Sequence, residues 1–460
     1  MSMSISQIDT RHDDVNVALQ QIRERLGPQA NVVSERGRAK TLEVFGEPLT
    51  PEQVVARICE DVQEHGLKSV LHYTNKLDCV AMPGESVRVP KAALVAAHAA
   101  AEPAFLEAIR RIRDNILEFQ RAIRHQDVTI ERPEGVVLQH RYVPLRRVGI
   151  CVPGGAAAYP STVLMTVVPA QAAGVEQLAI VAPPTPFGAD NADVLATCHE
   201  LGIDEIYRIG GAQGVAALAY GVEGVPAVDK IVGPGNLFVA LAKRYVYGQV
   251  DIDSIAGPSE VVVLADESTN PRFAAADLLA QAEHSPGASI LVTWCPEVLH
   301  ATLRELEDQI GKLERGELTR QSLERFGTMI IVRDPQEACM VVDAIGPEHL
   351  HISTGNAIEL ATKIRNAGAT FVGNYTPVAV GDYAAGPSHV LPTGGTARWA
   401  SGLTANSFLR SYSVMNYPPA GLQALAPVIQ LLAEKEGLTA HRASVEMRIG
   451  ALEKRAAAES

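Results

Sequence analysis

Cysteine is scarce in this chain of 460 residues: there are six, at positions 59, 79, 151, 198, 295 and 339, with no Cys-x-x-Cys pair. That scatter excludes a disulfide frame and a cysteine-rich metal site, and it predicts reduced thiols in a cytoplasmic protein. A bound metal would therefore draw on His, carboxylate or amide oxygen. Positive charge is also short. Lys and Arg number 40 against 53 Asp and Glu, for a formal net charge of -13, which argues against a nucleic-acid partner. Long apolar runs are missing. The longest stretches, such as 163–175, contain Pro169 and are too short to span a bilayer. The opening Met1-Ser-Met-Ser-Ile-Ser-Gln-Ile-Asp9 has no basic segment followed by an apolar run, so it does not read as a signal peptide. Gly-x-Gly-x-x-Gly followed by an acid about 20 residues later is absent too, which removes the standard dinucleotide fingerprint. What remains is 47% hydrophobic and 20% charged, the balance of a soluble globular protein with a substantial core and room for about three domains.

Residues 1–46 carry a helical pattern over 15–26 and then a polar segment, and are expected to form an arm. A helix is predicted over 51–75, with Val54, Val55, Ile58, Val62 and Leu67 apolar. From Pro103, the residues Ile109, Ile112, Ile116, Phe119 and Ile123 step by three and four, which predicts one buried stripe. Arg110, Arg111, Arg113 and Arg121 ride on the other face, more as a solvated surface than as an anion site. From Val148 short apolar runs alternate with helical segments: 148–152, 178–182, 205–209 and 230–232, then 261–264, 289–292, 329–332, 349–352 and 370–372. This alternation predicts an α/β fold of two Rossmann-like parallel-sheet domains with helical extensions at both ends. Residues 151–258 would form one domain and 47–150 together with 262–402 the other. Residues 403–460, punctuated by Pro418-Pro419, would form a helical tail.

Several segments could carry chemistry. Pro153-Gly154-Gly155, Gly210-Gly211-Ala212-Gln213-Gly214 and Gly233-Pro234-Gly235-Asn236 follow strands. Glycines there let the backbone approach a phosphate, and the next helix offers its N–H groups. Each is equally an ordinary strand-to-helix turn. Gln281 and His284 fall three apart on the last turn of a helix that starts near Pro271 and stops at Pro286-Gly287, so both leave one face. An amide oxygen and an imidazole could donate to one metal ion, or His284 could simply cap the last carbonyls. Glu348-His349, where a helix gives way to a strand, pairs a carboxylate with an imidazole and suits proton transfer near neutral pH. His351, on the same strand face, reads as structural. Asp382 sits in a loop-like Gly-rich stretch over 381–389 and alone would be a turn former. Glu434-Lys-Glu436-Gly437-Leu-Thr-Ala-His441 reads as a helix end capped by Gly437.

Taken in order, these segments form a longer pattern. Val-Pro-Gly-Gly at 152–155, Ser-Thr-Val-Leu-Met at 161–165 and Gly-Gly-Ala-Gln at 210–213 come first. Gly-Pro-Gly-Asn at 233–236, Ala-Gly-Pro-Ser-Glu at 256–260 and Gln-Ala-Glu-His at 281–284 follow. Gly-Pro-Glu-His at 346–349, Gly-Asp-Tyr at 381–383, His-Val-Leu-Pro-Thr at 389–393 and Glu-Gly-Leu-Thr-Ala-His at 436–441 complete it. No single run is specific, but ten in this order are. Over nearly its whole length the chain resembles the histidinol dehydrogenase family.

That resemblance implies one zinc per subunit on Gln281, His284, Asp382 and His441, and an acid–base pair of Glu348 and His349. It implies substrate contacts from Ser259, His349 and Glu436 alongside the four zinc-site residues, and NAD contacts from Gln213 and Asn236. It further implies a homodimer in which the tail, with Glu436 and His441, reaches the partner subunit's site. The implied reaction is the last step of histidine biosynthesis, L-histidinol to L-histidinal to L-histidine with two NAD reduced. His349 would take the hydroxyl proton and Glu348 would activate water on the aldehyde, with the metal mainly positioning the substrate. Cys151 departs from the family, standing where many relatives carry a Tyr that meets the cofactor. A thiohemiacetal on Cys151 is the lesser reading, since no base lies beside it in sequence and a free Cys is usually a small buried apolar residue. Two other functions stay open. One is a zinc- and NAD-dependent dehydrogenase of another small alcohol, such as a sulfonated diol, which Glu436 would repel. The other is a non-catalytic metal- and nucleotide-binding protein, which the Glu348-His349 pair argues against.

Overall fold

The computed structural model describes residues 3–14, 17, 20, 35–78, 87–155, 157–255, 257–284 and 287–459. The helix expected over 15–26 falls outside these residues except at Val17 and Gln20, and Cys79, Ala256, Ser285 and Pro286 fall outside them as well. The chain divides into two units, Met1–Ile123 with Leu145–Phe408, and Arg124–Pro144 with Leu409–Ser460. Among the described residues no single helix is long and apolar enough to cross a membrane.

The first unit is built on two parallel sheets. The five-stranded sheet runs in the order Ile206–Arg208, Gln177–Ala182, Arg147–Cys151, Lys230–Val232, Asp251–Ile252. Arg147–Cys151 is buried at every position, as expected of a strand covered on both faces, which reads as one apolar run without alternation. The helix Pro160–Ala173 is apolar on all sides and is buried along nearly its whole length. Pro169 lies inside it and has no N–H to give the Met165 carbonyl. The buried Ser388 hydroxyl donates to that carbonyl instead, at 2.8 Å. The helix expected over 51–75 is two helices, Pro51–His65 and Leu67–Leu77. Gly66 separates them at φ 58°, a left-handed value that glycine adopts at little cost. Val54, Val55, Ile58 and Val62 do form the buried stripe, packed with Ala212, Val215 and Ala216 of the helix Gly211–Tyr220.

The six-stranded sheet is ordered Ser6–Asp9, Thr328–Ile331, Gly287–Thr293, Ser259–Ala265, His349–Ser353, Ala369–Val372, and every pairing is parallel. One face packs on the helices Pro271–Ala282 and Pro296–Ile310 through Val261, Val263, Leu278 and Leu299. The other packs Val262, Leu264 and Ile352 on Val341 and Ile345 of the helix Pro335–Ile345. Each such fully buried aliphatic side chain contributes about 1.5–3 kcal/mol over its exposed state. On the helix Pro103–Ile123, Ile109 and Ile116 are buried while Phe119 is exposed, so the predicted stripe is narrower than its spacing suggests. Arg110 and Arg113 pair with the carboxylate of Glu200.

The second unit contains an antiparallel sheet of Leu409–Asn416, Val137–Pro144 and Val128–Glu131, and two helices, Pro419–Lys435 and Thr439–Glu459, packed on each other. In the tail expected to be helical from 403, a short 3-10 turn, Ala405–Phe408, is followed by the strand Leu409–Asn416. Its partner strand lies far away in sequence, and that pairing overrides a weak local preference. Gly437, at φ 70°, ends the first helix as its composition suggests.

Candidate active site

Both sheets of the first unit open onto one cavity of about 720 Å³, but they present opposite ends to it. The five-stranded sheet offers the carboxyl ends of its strands, which run into the turns 153–155, 210–213 and 233–236 that line the cavity. The six-stranded sheet offers amino ends: Ser259 and His349 are the first residues of their strands, and both line the cavity with His284, Glu348 and Asp382. Helix N-termini therefore gather at the first wall and a helix C-terminus at the second. The first polarity favours anions and the second favours cations.

The second wall holds the titratable groups. Glu348 and His349 are both buried. His349 Nδ1 lies 3.3 Å from the Glu260 carbonyl and 3.7 Å from Glu348 Oε2. Donation from Nδ1 leaves the Nε2 lone pair as the basic atom of the neutral ring. Nε2 sits 3.4 Å from Asp382 Oδ1 and, although buried, has no hydrogen-bond partner among the described residues. Burial alone would lower the His349 pKa, but Glu348 and Asp382 outweigh it and raise it to about 9. Burial pushes Glu348 above the usual carboxylate range, against the pull of His349 and the Ser259 hydroxyl. Ser259 Oγ donates to Glu348 Oε2 and accepts from Gln281 Nε2 at 2.7 Å, so the amide oxygen is the ligand-type atom of Gln281. Burial raises Asp382, yet the imidazoles of His349, His389 and His284 hold it below its ordinary value.

The first wall is rich in backbone, with Asp78 and Asp253 among its lining residues. Gly233, at φ 103°, lies so close to strand Arg147–Cys151 that a Cβ there would stand 2.3 Å from the Cys151 carbonyl oxygen. The turn is pinned from below. Asp253 Oδ2 accepts from Gly233 N at 2.7 Å, and the buried Lys243 donates to the Gly233 carbonyl at 3.1 Å and pairs with Asp253. Asn236 caps the helix Leu237–Val246 through Oδ1, at 3.0 Å from Phe238 N and 3.1 Å from Val239 N, so its amide nitrogen is the group left for a ligand. Gln213 is buried, with Nε2 3.5 Å from Asp78 and Oε1 without a hydrogen-bond partner among the described residues. Cys151 is buried, and burial raises its thiol to about 12. It is a protonated thiol, and this chemistry counts against a thiohemiacetal.

The structure brings Ser259, Gln281, His284, Glu348, His349 and Asp382 together, with Gln213 and Asn236 on the facing wall of the same cavity. Two local expectations change. His284 lies beyond the helix Pro271–Ala282, after the cap Glu283, because Gly287 must already start the next strand. Asp382 belongs to a short helix, Val378–Tyr383, and not to a loop. Glu436 and His441 lie in the second unit, both exposed, at the junction of its two helices. Among the described residues, no three His, Cys, Asp or Glu side chains stand at ligand spacing. The first unit offers one imidazole, one carboxylate and one amide, an incomplete shell for a four-coordinate ion. Residue-level reading missed His389, whose Nδ1 lies 3.1 Å from the Asp382 carbonyl, and Glu260, a charged residue heading the apolar run 261–264. An acid at that position was a readable signal.

Two parallel α/β lobes, a glycine-lined wall suited to a dinucleotide and an opposed wall of buried acids and imidazoles define an oxidoreductase of the α/β class. The comparisons narrow this. Residues 48–449 match the family described as histidinol dehydrogenase. The chain is 59% identical over 448 residues to histidinol dehydrogenase of Rhodopirellula baltica, covering 97% of each. It is 45% identical over 404 residues to that of Synechococcus sp., covering 88% of this chain and 93% of the relative. The crystal structure of histidinol dehydrogenase from Elizabethkingia anophelis superposes with a TM-score of 0.88 at 32% identity, covering 98% of this chain and 100% of that one. The chain belongs to the histidinol dehydrogenase family of NAD-dependent oxidoreductases.

Proposed function

We propose that this cavity oxidises L-histidinol through L-histidinal to L-histidine in the cytoplasm, with His349 and Glu348 moving the protons. The observation that carries this reading is the buried His349 Nε2, without a hydrogen-bond partner among the described residues, on a residue that lines the same cavity as the glycine turns. In the first half-reaction the neutral form of His349, whose share grows as pH rises toward 9, takes the proton of the substrate hydroxyl at Nε2. The carboxylates of Glu348 and Asp382 favour the imidazolium that results. In the second, Glu348 takes a proton from a water molecule that adds to the aldehyde, and its burial makes it a stronger base than a surface carboxylate. Ser259 holds Glu348 and Gln281 in register. Bound NAD supplies a hydride acceptor in each half-reaction. Gln213 Oε1 and the Asn236 amide nitrogen are the side-chain groups that would meet it.

The donor chemistry of Gln281, His284 and Asp382 fits a borderline divalent ion such as zinc, with the partner subunit's His441 completing the shell and its Glu436 contacting the substrate. When bound, zinc supplies a Lewis-acidic cation that orients the substrate's nitrogen donors. A homodimer accords with the large apolar side chains exposed on the two helices of the second unit, where Val428 is 64%, Leu431 60% and Met447 74% accessible. The test is the number of NADH formed per L-histidinol, with and without a chelator. Two NADH, lost on chelation and restored by zinc, is the expected result. One NADH with aldehyde accumulating would sink the role of Glu348, and none from the metal-loaded protein would sink the substrate.

A further inference from the structure

We infer that Glu260 is a positioning residue for the second half-reaction, holding the Glu348 carboxylate and the cavity turn 393–395 through a reciprocal backbone brace. The inference rests on the role proposed above for Glu348. Glu260 is fully buried in strand Ser259–Ala265, next to strand His349–Ser353. Each glutamate receives the other's backbone N–H: Glu260 N donates to Glu348 Oε2 at 3.1 Å, and Glu348 N donates to Glu260 Oε1 at 3.2 Å. The remaining capacity of the Glu260 carboxyl goes to the turn. Gly394 N reaches Oε2 at 3.0 Å and Gly395 N reaches Oε1 at 3.4 Å. Thr393, which lines the cavity, accepts from Gly257 N. The Glu260 carbonyl is also the neighbour of His349 Nδ1.

Three N–H donors converge on two oxygens, so both positions must accept. A glutamine would point its NH₂ group at one or two of those donors whichever way it was turned. The Glu348 backbone or the 394–395 turn would then have to move, and a displacement of about 1 Å at a reacting group can cost 100-fold in rate. The direct contact of residue 260 with His349 is through the main-chain carbonyl, which the substitution keeps. The side chain should therefore matter to water activation and much less to the first hydride transfer.

The experiment supplies L-histidinal and L-histidinol separately to the metal-loaded full-length protein and follows NADH. Glu260→Gln is expected to lower kcat on L-histidinal at least about tenfold, with KM and the first turnover of L-histidinol near wild type. Glu260→Asp, which keeps both carboxyl oxygens on a shorter arm, should fall in between. Wild-type kcat of Glu260→Gln on L-histidinal would overturn the inference. So would a uniform fall in both half-reactions and in thermal stability, the mark of a merely structural residue. Should Glu260→Gln fail to fold, Glu260→Asp decides, and wild-type rates on L-histidinal would again overturn it. Glu348→Gln separates the two readings. If it leaves L-histidinal oxidation intact, the role of Glu348 itself falls. If it abolishes that oxidation while Glu260→Gln keeps full activity, only Glu260 falls.

Discussion

The two sheets of the first unit share a β–α rhythm and a parallel arrangement, yet they serve the cavity in opposite senses. The five-stranded sheet contributes carboxyl ends, glycine turns and helix N-termini, with the lining residue Asp253 paired to the buried Lys243. The six-stranded sheet contributes amino ends and the end of the helix Pro271–Ala282, with carboxylates and imidazoles in the cavity wall. One architecture thus supplies a wall that approaches an anion by main chain and another that handles cations and protons by side chain. The direction in which each sheet faces the cavity decides which.

The sharpest way to test that division is to disable one wall and measure the other. His349→Asn should lower turnover by about 10²–10⁴-fold while NAD binding, followed by fluorescence titration, stays at the wild-type value. A matching loss of NAD affinity would dissolve the division. Asp382→Asn should weaken metal binding by more than the roughly 10–100-fold typical of outer-shell changes, read by chelator competition, with NAD affinity again unmoved. Unchanged metal affinity would remove Asp382 from the ligand set.

On the glycine wall the effects should be smaller and should appear in folding. Gly233→Ala forces a Cβ against the Cys151 carbonyl at a positive φ and should cost about 1–3 kcal/mol in denaturant unfolding, with weaker NAD binding. Gly155→Ala meets nothing within 4 Å and should stay within about 0.5 kcal/mol of wild type. Equal effects at the two glycines would mean that close approach is not what the wall is built for. The smallest effect concerns how the Asp382 segment is anchored. Ser388→Ala leaves the Met165 carbonyl without its donor and should cost about 1 kcal/mol. Pro169→Ala restores a helical N–H to that carbonyl, so Ser388→Ala should cost less in the double variant, where only the Val390 N–H loses its acceptor, a coupling that a mutant cycle measures.

Much of the fold was legible because its signals are local. Fully buried strands such as Val261 to Leu264 read as apolar runs, and the helix around Val54 and Ile58 read by its stripe. The chemical groups were legible too, as Glu348-His349 and Gln281 with His284, but only as residue types in a row. Gly66 breaking one predicted helix into two and the strand Leu409–Asn416 were not legible. The first turns on a single φ value. The second depends on Val137–Pro144, more than 250 residues earlier in the chain.

The sequence by itself determined the α/β class, the glycine turns and the family pattern, because periodicity and short-range residue order are properties of the chain alone. Only the tertiary structure decided that Ser259, Glu348 and Asp382 share one cavity wall, that Ser388 serves the carbonyl Pro169 leaves unpaired, and that Glu260 and Glu348 hold each other's backbone. The last two are contacts between groups 223 and 88 positions apart. Parallel sheets create such contacts by placing distant strands side by side, and no local pattern records which strand ends will meet.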